Sequence, residues 1–282
     1  MTSYVLVRPL LDGSDAAAGE ARQAGEAAAG EPAGAPVVLV TLNSPAKRNA
    51  LSLLMCEQLS AALTQAAAAG ARAAVLTGSG EAFCAGYDLN ALPDEPDAQW
   101  LREHGPLGAL MRTVSEGPLP VIAALNGATV GAGCELALAC DLRVAHPGTR
   151  LQMPPVNLGL IYTPEGVARL IALCGLGRAR QLLLTGEPIL GEEAHSFGLV
   201  HRVVPAAEVL PVAQRLAQTL AQKPQRALHG TRVLIERLLR EGPRLCHESA
   251  EEIFTLREQA FSSADARAAR AAFRARLRRG AP

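Results

Sequence analysis

The chain opens on two short runs rich in β-branched and other apolar residues, 4–10 and 36–42 (PVVLVTL in the second), which predict strands. Between them residues 12–35 are rich in Ala, Gly and Glu, with too little bulky apolar surface to pack, and predict a loop inserted into a strand connection. Asn43-Ser44-Pro45 breaks the second strand. Leu53, Leu54, Leu59 and Leu63 then recur near a 3.6-residue period, predicting a helix over 52–69 that Gly70 stops. A continuous apolar run over 73–77 predicts a buried strand ending in Gly78-Ser79-Gly80. A helix over 100–114, a strand over 118–125, a helix over 131–140 and a strand over 142–145 follow. Alternating strands and helices with turn residues between them are the α/β pattern.

From about Thr163 the periodicity becomes helical: 164–172, 178–185, 191–195, 209–222, 225–240, 244–261 and 264–278, with only 199–204 reading as a strand. Val209, Val212, Ala213, Leu216, Ala217 and Leu220 share one face, so that helix packs against a neighbour. The organisation expected is an α/β core over 1–200 and a helical region over 201–282.

Composition narrows the function. The 282 residues are 49% hydrophobic and 19% charged, and Lys+Arg of 27 balances Asp+Glu of 27, so no global field favours nucleic acid or an anionic membrane. Only Lys47 and Lys223 are lysines, which disfavours Schiff-base chemistry, and 3% aromatics leave little for base or sugar stacking. Six scattered cysteines form no C-x-x-C pair and no His/Cys cluster at zinc spacing; buried, reduced thiols and no metal are expected. Without a signal-peptide pattern or an apolar run of about 18 residues, the expected location is the cytoplasm.

No phosphate-binding G-x-x-x-x-G-K-[ST] and no G-x-S-x-G nucleophile turn occurs. Two glycine-bearing segments remain. In Phe83-Cys84-Ala85-Gly86-Tyr87-Asp88-Leu89, small Ala85 and Gly86 let a ligand approach the backbone, where the Tyr87 amide can donate. In Asn126-Gly127-Ala128-Thr129-Val130-Gly131-Ala132-Gly133-Cys134-Glu135 a strand runs into a helix start, whose unpaired N–H groups and positive dipole end favour an anion. Two such donors converging on one oxygen make an oxyanion hole.

These segments, with Leu42-Asn43-Ser44-Pro45-Ala46-Lys47-Arg48-Asn49-Ala50-Leu51, Pro120-Val121-Ile122-Ala123-Ala124-Leu125, Asn157-Leu158-Gly159-Leu160, and Phe197-Gly198-Leu199-Val200, resemble the crotonase (enoyl-CoA hydratase/isomerase) superfamily in the family's order. The resemblance implies a crotonase-like spiral of ββα units with a C-terminal helical trimerisation region, assembling as homotrimer or homohexamer. It implies an acyl thioester substrate, on coenzyme A or an acyl carrier protein, with no cofactor beyond the coenzyme A of the substrate. The oxyanion donors would be the amides of Tyr87 and Ala132, the latter flanked by Gly131 and Gly133, and the thioester pocket would include Ala85, Gly86, Asp88 and Leu89. Lys47, Arg48 and the arginine-rich tail over 267–279 are candidates for the coenzyme phosphates.

Acid and base groups separate the family's reactions. Glu135 matches the first of the two glutamates of hydratases, but Pro155 stands where the second would be, and proline carries no proton. Isomerisation of a double bond with Glu135 as shuttling base is therefore favoured over hydration. Glu165, in Tyr162-Thr163-Pro164-Glu165-Gly166, resembles the acid of peroxisomal-type enoyl-CoA isomerases. Tyr162 instead resembles the tyrosine of methylmalonyl-CoA decarboxylases, so decarboxylation of a carboxyl-bearing acyl thioester stays open. A non-catalytic acyl-binding or structural subunit is the alternative of another class. None of the six histidines falls on a catalytic position of the family.

Overall fold

The structure, a computed structural model, describes residues 3–10, 37–89 and 105–278; the expected loop over 12–35, the first residues of the helix predicted from 100, and Arg279 lie outside them. Three consecutive strand pairs organise the core: β3 (Ala73–Gly78) with β4 (Ala82–Cys84), β5 (Val121–Leu125) with β6 (Ala128–Val130), and β7 (Leu142–Ala145) with β8 (Arg150–Gln152). The first strand of each pair joins one sheet and the second another. Among the described residues, helices α2 (Gly105–Glu116), α3 (Ala132–Ala139) and α4 (Pro164–Thr185) are the next α-helices after each pair, so the expected spiral of ββα units is what the chain forms.

The larger sheet runs β1-β2-β3-β5-β7-β10, with β1 (Val5–Pro9) antiparallel to β2 (Val37–Leu42), the other pairs parallel, and β10 (Arg202–Val203) at the far edge. Both faces are covered, as a parallel sheet requires. Val38, Val40, Ala74, Leu76, Ala123 and Leu125 enter the main core with α1 (Leu53–Ala68), whose Ser52 accepts the Met55 amide as N-cap. Val37, Leu39, Ala73, Val75, Ile122, Ala124 and Val144 face the other way, onto α6 (Val209–Ala221). There the buried residues Ala213, Ala217 and Ala221 are spaced by four and small enough to bring helix and sheet together.

The smaller sheet, β4-β6-β8-β9, has strands of two or three residues, with β9 (Ile189–Leu190) antiparallel to β8. None of them was predicted, because no period shows in three residues and their pairing is wholly long-range. The strand expected over 199–204 contracts to Arg202–Val203. Conversely, the stretches 164–172 and 178–185 run together as α4 across a break at Gly175 (φ 76°, ψ 162°). The expected helix over 191–195 is α5 (Gly191–Ser196); α7 (Gln225–Glu241), α8 (His247–Ser262) and α9 (Ala264–Arg278) close the chain.

A buried arginine ties this helical region to the core. Arg232 of α7 donates to the Asp141 carboxylate (2.6 Å), to the carbonyls of Val114 (2.9 Å) and Ser115 (3.3 Å), and to that of Gly117, capping α2. Asp141 in turn accepts the Val121 amide at the start of β5 (2.7 Å). Among the described residues no helix is long and apolar enough to cross a membrane.

Candidate active site

The loop after β4 is held by main-chain bonds to residues 48–51: Ala85 N–H donates to Arg48 (2.9 Å), Leu51 N–H to Gly86 (2.7 Å) and Asp88 N–H to Leu51 (2.9 Å). In this one-residue parallel pairing the Gly86 carbonyl and Asp88 N–H face Leu51, so the Tyr87 N–H points to the opposite side. It has no acceptor among the described residues. Two asparagines brace the preceding turn. Asn49, fully buried at φ 57°, donates to Ser79 (2.9 Å) and Ala82 (2.8 Å) and accepts the Ser44 amide. Asn126 donates to Gly80 (2.9 Å) and accepts from Gly78 N–H (3.1 Å).

Helix α3 begins at Ala132 behind Gly131 (φ 57°, ψ −125°), whose N–H bonds Gln152 of β8 (2.8 Å). The Ala132 N–H, in the first turn, also lacks an acceptor among the described residues. A Cβ at Gly86 (φ 103°) would sit 2.9 Å from the Val130 carbonyl and 3.6 Å from the Ala132 nitrogen; one at Gly131 would lie 3.8 Å from Gly86 Cα. Both positions need glycine, for left-handed backbone and for this approach. Gly133 presses on Cys84, where a Cβ would meet the carbonyl at 2.6 Å. The far end of α3 is held by Arg143, 2% exposed, which donates to Cys140 (2.7 Å), Ala137 and Leu138 (3.4 Å each) and to Leu199 (2.6 Å). Burial lowers its pKa to about 10, leaving it a cation at neutral pH and a favourable charge at the helix C-terminus.

Glu135, 5% exposed, lies one turn into α3. Thr163 caps α4 by accepting the Gly166 amide (2.9 Å) and donates the same hydroxyl to Glu135 Oε1 (3.1 Å). Burial raises the Glu135 pKa; the Thr163 bond and the Arg169 charge oppose the rise, and Glu165 adds to it. A Cβ on Gly166 would stand 2.6 Å from Glu135 Oε1, so only glycine leaves the carboxylate its place. Glu135, Thr163, Glu165 and Arg169 line one cavity of about 240 Å³. Tyr162 is half-buried, with its hydroxyl 3.6 Å from where a Gly131 Cβ would be, and burial raises its pKa, so it stays protonated.

The structure thus gathers Gly86, Tyr87, Gly131, Ala132 and Tyr162 at the start of α3, and Glu135 with Glu165 one turn on. Pro155, buried, opens a 3₁₀ turn (Pro155–Leu158) and offers no acid. Lys47 bonds Asp88 (2.8 Å), so its charge is already met and the pair ties the loop. Arg48 is exposed; Leu89 is 57% exposed beyond the loop and Ala85 is half-buried within it. In the tail, Arg267 and Arg270 donate to the carbonyls of Ser262 and Phe261, capping α8. Cys56, Cys84, Cys134 and Cys140 are buried, which pushes each thiol up to about 12 and leaves it unreactive. Sequence reasoning missed Thr163, Arg169 and Asn49. Thr163-Pro164-Glu165 is legible as a helix cap, but its second bond, to a residue 28 positions away, is not.

Residues 33–278 match the family described as Enoyl-CoA hydratase/isomerase. The chain belongs to this family. It is 37% identical over 201 residues to the probable enoyl-CoA hydratase echA6 of Mycobacterium tuberculosis, covering 70% of this chain and 78% of that protein. It is 38% identical over 198 residues to the 2,3-dehydroadipyl-CoA hydratase of Escherichia coli, covering 70% and 76%. The crystal structure of enoyl-CoA hydratase from Bacillus anthracis superposes with a TM-score of 0.74 at 33% identity, covering 86% of this chain and 93% of that one. Family membership makes an enzyme acting on acyl-CoA the coarse assignment.

Proposed function

We propose that this member of the family stabilises an acyl-thioester enolate with the amides of Tyr87 and Ala132 while Glu135 moves the proton, and that it isomerises a double bond between the β,γ and α,β positions in preference to hydrating one. The observation that carries the reading is Glu135 itself: buried, held by Thr163, with a raised pKa and Pro155 in place of a second acid. Proton abstraction places charge on the thioester oxygen, and preorganised N–H donors stabilise such charge by about 3 kcal/mol each. A carboxylate whose pKa is raised toward neutrality is a better general base, and one base serving both carbons suffices for a 1,3 shift. Hydration by the two-glutamate route needs a carboxylate where Pro155 stands; Glu165, which lines the same cavity from α4, is the remaining acid beside Glu135 and serves the isomerisation reading equally well. We place the enzyme in the cytoplasm, with coenzyme A or an acyl carrier protein as carrier and a homotrimer or homohexamer as its assembly.

The test is turnover of a 3-enoyl-CoA, a 2-enoyl-CoA and methylmalonyl-CoA, following double-bond migration, hydration and CO₂ release. Migration without substantial hydration is the expected result; rapid hydration of the 2-enoyl substrate would overturn the reading of Pro155. Decarboxylation is the second reading, favoured by the protonated Tyr162 hydroxyl near Gly131, where it can donate to a departing carboxylate. Release of CO₂ that persists in Glu135→Gln and fails in Tyr162→Phe would select it.

A further inference from the structure

The cavity that Glu135 lines extends between α2, α4 and α7, and its wall sets charged groups among apolar surface. Carboxylates of Glu116, Glu165 and Glu236 and guanidiniums of Arg112, Arg169 and Arg240 also line it. A hydrocarbon end set against an unpaired one of these charges would strip its water and return no hydrogen bond. Most of the charges are already matched: Arg169 pairs with Glu236 at 2.5 Å, and Arg240 with Glu116. Arg112, exposed on α2, has no hydrogen-bond or ion-pair partner among the described residues. Leu107, Met111 and Leu239 supply apolar wall alongside it, enough to carry a short chain toward a polar end.

The two unmatched charges sit at different places. Glu135 reaches the cavity from α3 and Glu165 from the first turn of α4, whereas Arg112 reaches it from α2. With Glu116 and Glu236 each paired to an arginine, an occupant anchored at Glu135 has Arg112 as the cation of the same cavity wall that can take an anionic end.

We propose that Arg112 reads a second carboxylate at the far end of the acyl group, making thioesters of dicarboxylic acids the preferred substrate class. The guanidinium offers a planar pair of donors matched to a carboxylate, and no acid among the described residues holds it. Arg112 is then a specificity-determining residue. The proposal rests on the acyl chain lying at Glu135, as the proposed function has it, and deepens that reading.

The experiment measures binding so that it does not depend on which reaction is catalysed. Hexanoyl-CoA, its counterpart ending in a carboxylate, and its counterpart ending in an amine are titrated calorimetrically into wild type, Arg112→Gln and Arg112→Lys. Wild type should bind the carboxylate-ended thioester about 10- to 100-fold more tightly than hexanoyl-CoA, the range of one charge-assisted hydrogen-bonded pair. Arg112→Gln should erase that preference and leave hexanoyl-CoA affinity unchanged; Arg112→Lys should keep part of it. Equal or tighter binding of the methyl- or amine-ended chain by wild type, loss of affinity for all three alike in Arg112→Gln, or no binding of any would overturn it. Failure of a 3-enoyl substrate to isomerise, with the binding preference intact, would strike the proposed reaction and leave this inference standing.

Discussion

Gly166→Ala tests the placement of Glu135 without touching the carboxylate. The new methyl carbon would stand 2.6 Å from Glu135 Oε1, 3.0 Å from Cδ and 3.1 Å from Thr163 Oγ1, where ordinary contact begins at 3.4 Å. Relief requires Oε1 to retreat by about 0.8 Å. Displacements of about 1 Å at a reacting group cost about 100-fold in rate, or about 2.7 kcal/mol of transition-state stabilisation. The fold should bear the change, because Gly166 lies in the first turn of α4 and alanine is the better helix former by up to about 1 kcal/mol. The expected outcome is a loss of 30- to 100-fold, as an order of magnitude, in kcat/KM for a 3-enoyl-CoA, with Tm within about 4 °C of wild type. Activity within threefold of wild type at unchanged Tm would refute the claim that Glu135 must hold this position to act as base. Lost activity with a collapsed Tm would show instead that Gly166 serves packing alone.

Other outcomes follow from the same geometry. Glu135→Gln should abolish isomerisation and yet raise Tm at neutral pH: with its folded pKa above the ordinary glutamate value of about 4.3, the carboxyl stabilises the fold when protonated and loses that contribution as pH rises through its folded pKa. Thermal melts from pH 4 to pH 8 should therefore show the variant gaining on wild type as pH increases; a constant difference would contradict the raised pKa. The same shift places the acid limb of the wild-type kcat/KM profile above the usual carboxylate range, and a limb at or below pH 4.3 would count against Glu135 as base. Ala132→Pro deletes one donor at a helix position that tolerates proline, behind a glycine whose angles mirror the extended conformation a residue before proline prefers. It should cost about 100- to 1000-fold in kcat, and a loss under fivefold would remove the Ala132 amide from the mechanism. Arg232→Leu strands the Asp141 carboxylate and the carbonyls closing α2, and should cost about 3–5 kcal/mol by urea unfolding; under 1 kcal/mol would mean water replaces the arginine.

The larger sheet was legible because most of its strands are continuous apolar runs bounded by Gly, Pro and Asn, and the long helices because their periods run for three turns or more. The second sheet was not, since strands such as Ala128–Val130 carry no pattern of their own and exist only through neighbours. At the site, the glycines announced where the backbone turns, and Gly86 and Gly131 do stand face to face. What they could not announce is the company Glu135 keeps. Thr163, Gly166 and Arg169 come from another helix, and nothing local in their sequence marks them as neighbours of that carboxylate. Lys47, read alone as a cation beside the pocket, is joined in the fold to Asp88, a partner 41 positions away that no local pattern announces.

The Tyr87 and Ala132 N–H groups bear on how such a protein is surveyed. A mutational scan that replaces side chains one at a time leaves both intact: position 132 is already alanine, and removing the Tyr87 ring keeps its amide. A donor carried by the peptide bond is encoded by the path of the chain, so drift in residue identity at these two positions can proceed while the group itself persists. That path is fixed by Gly86, Gly131, Asn49 and Asn126, and an inventory of functional residues drawn from side-chain chemistry would assign those four to structure and leave the proposed donors unrecorded.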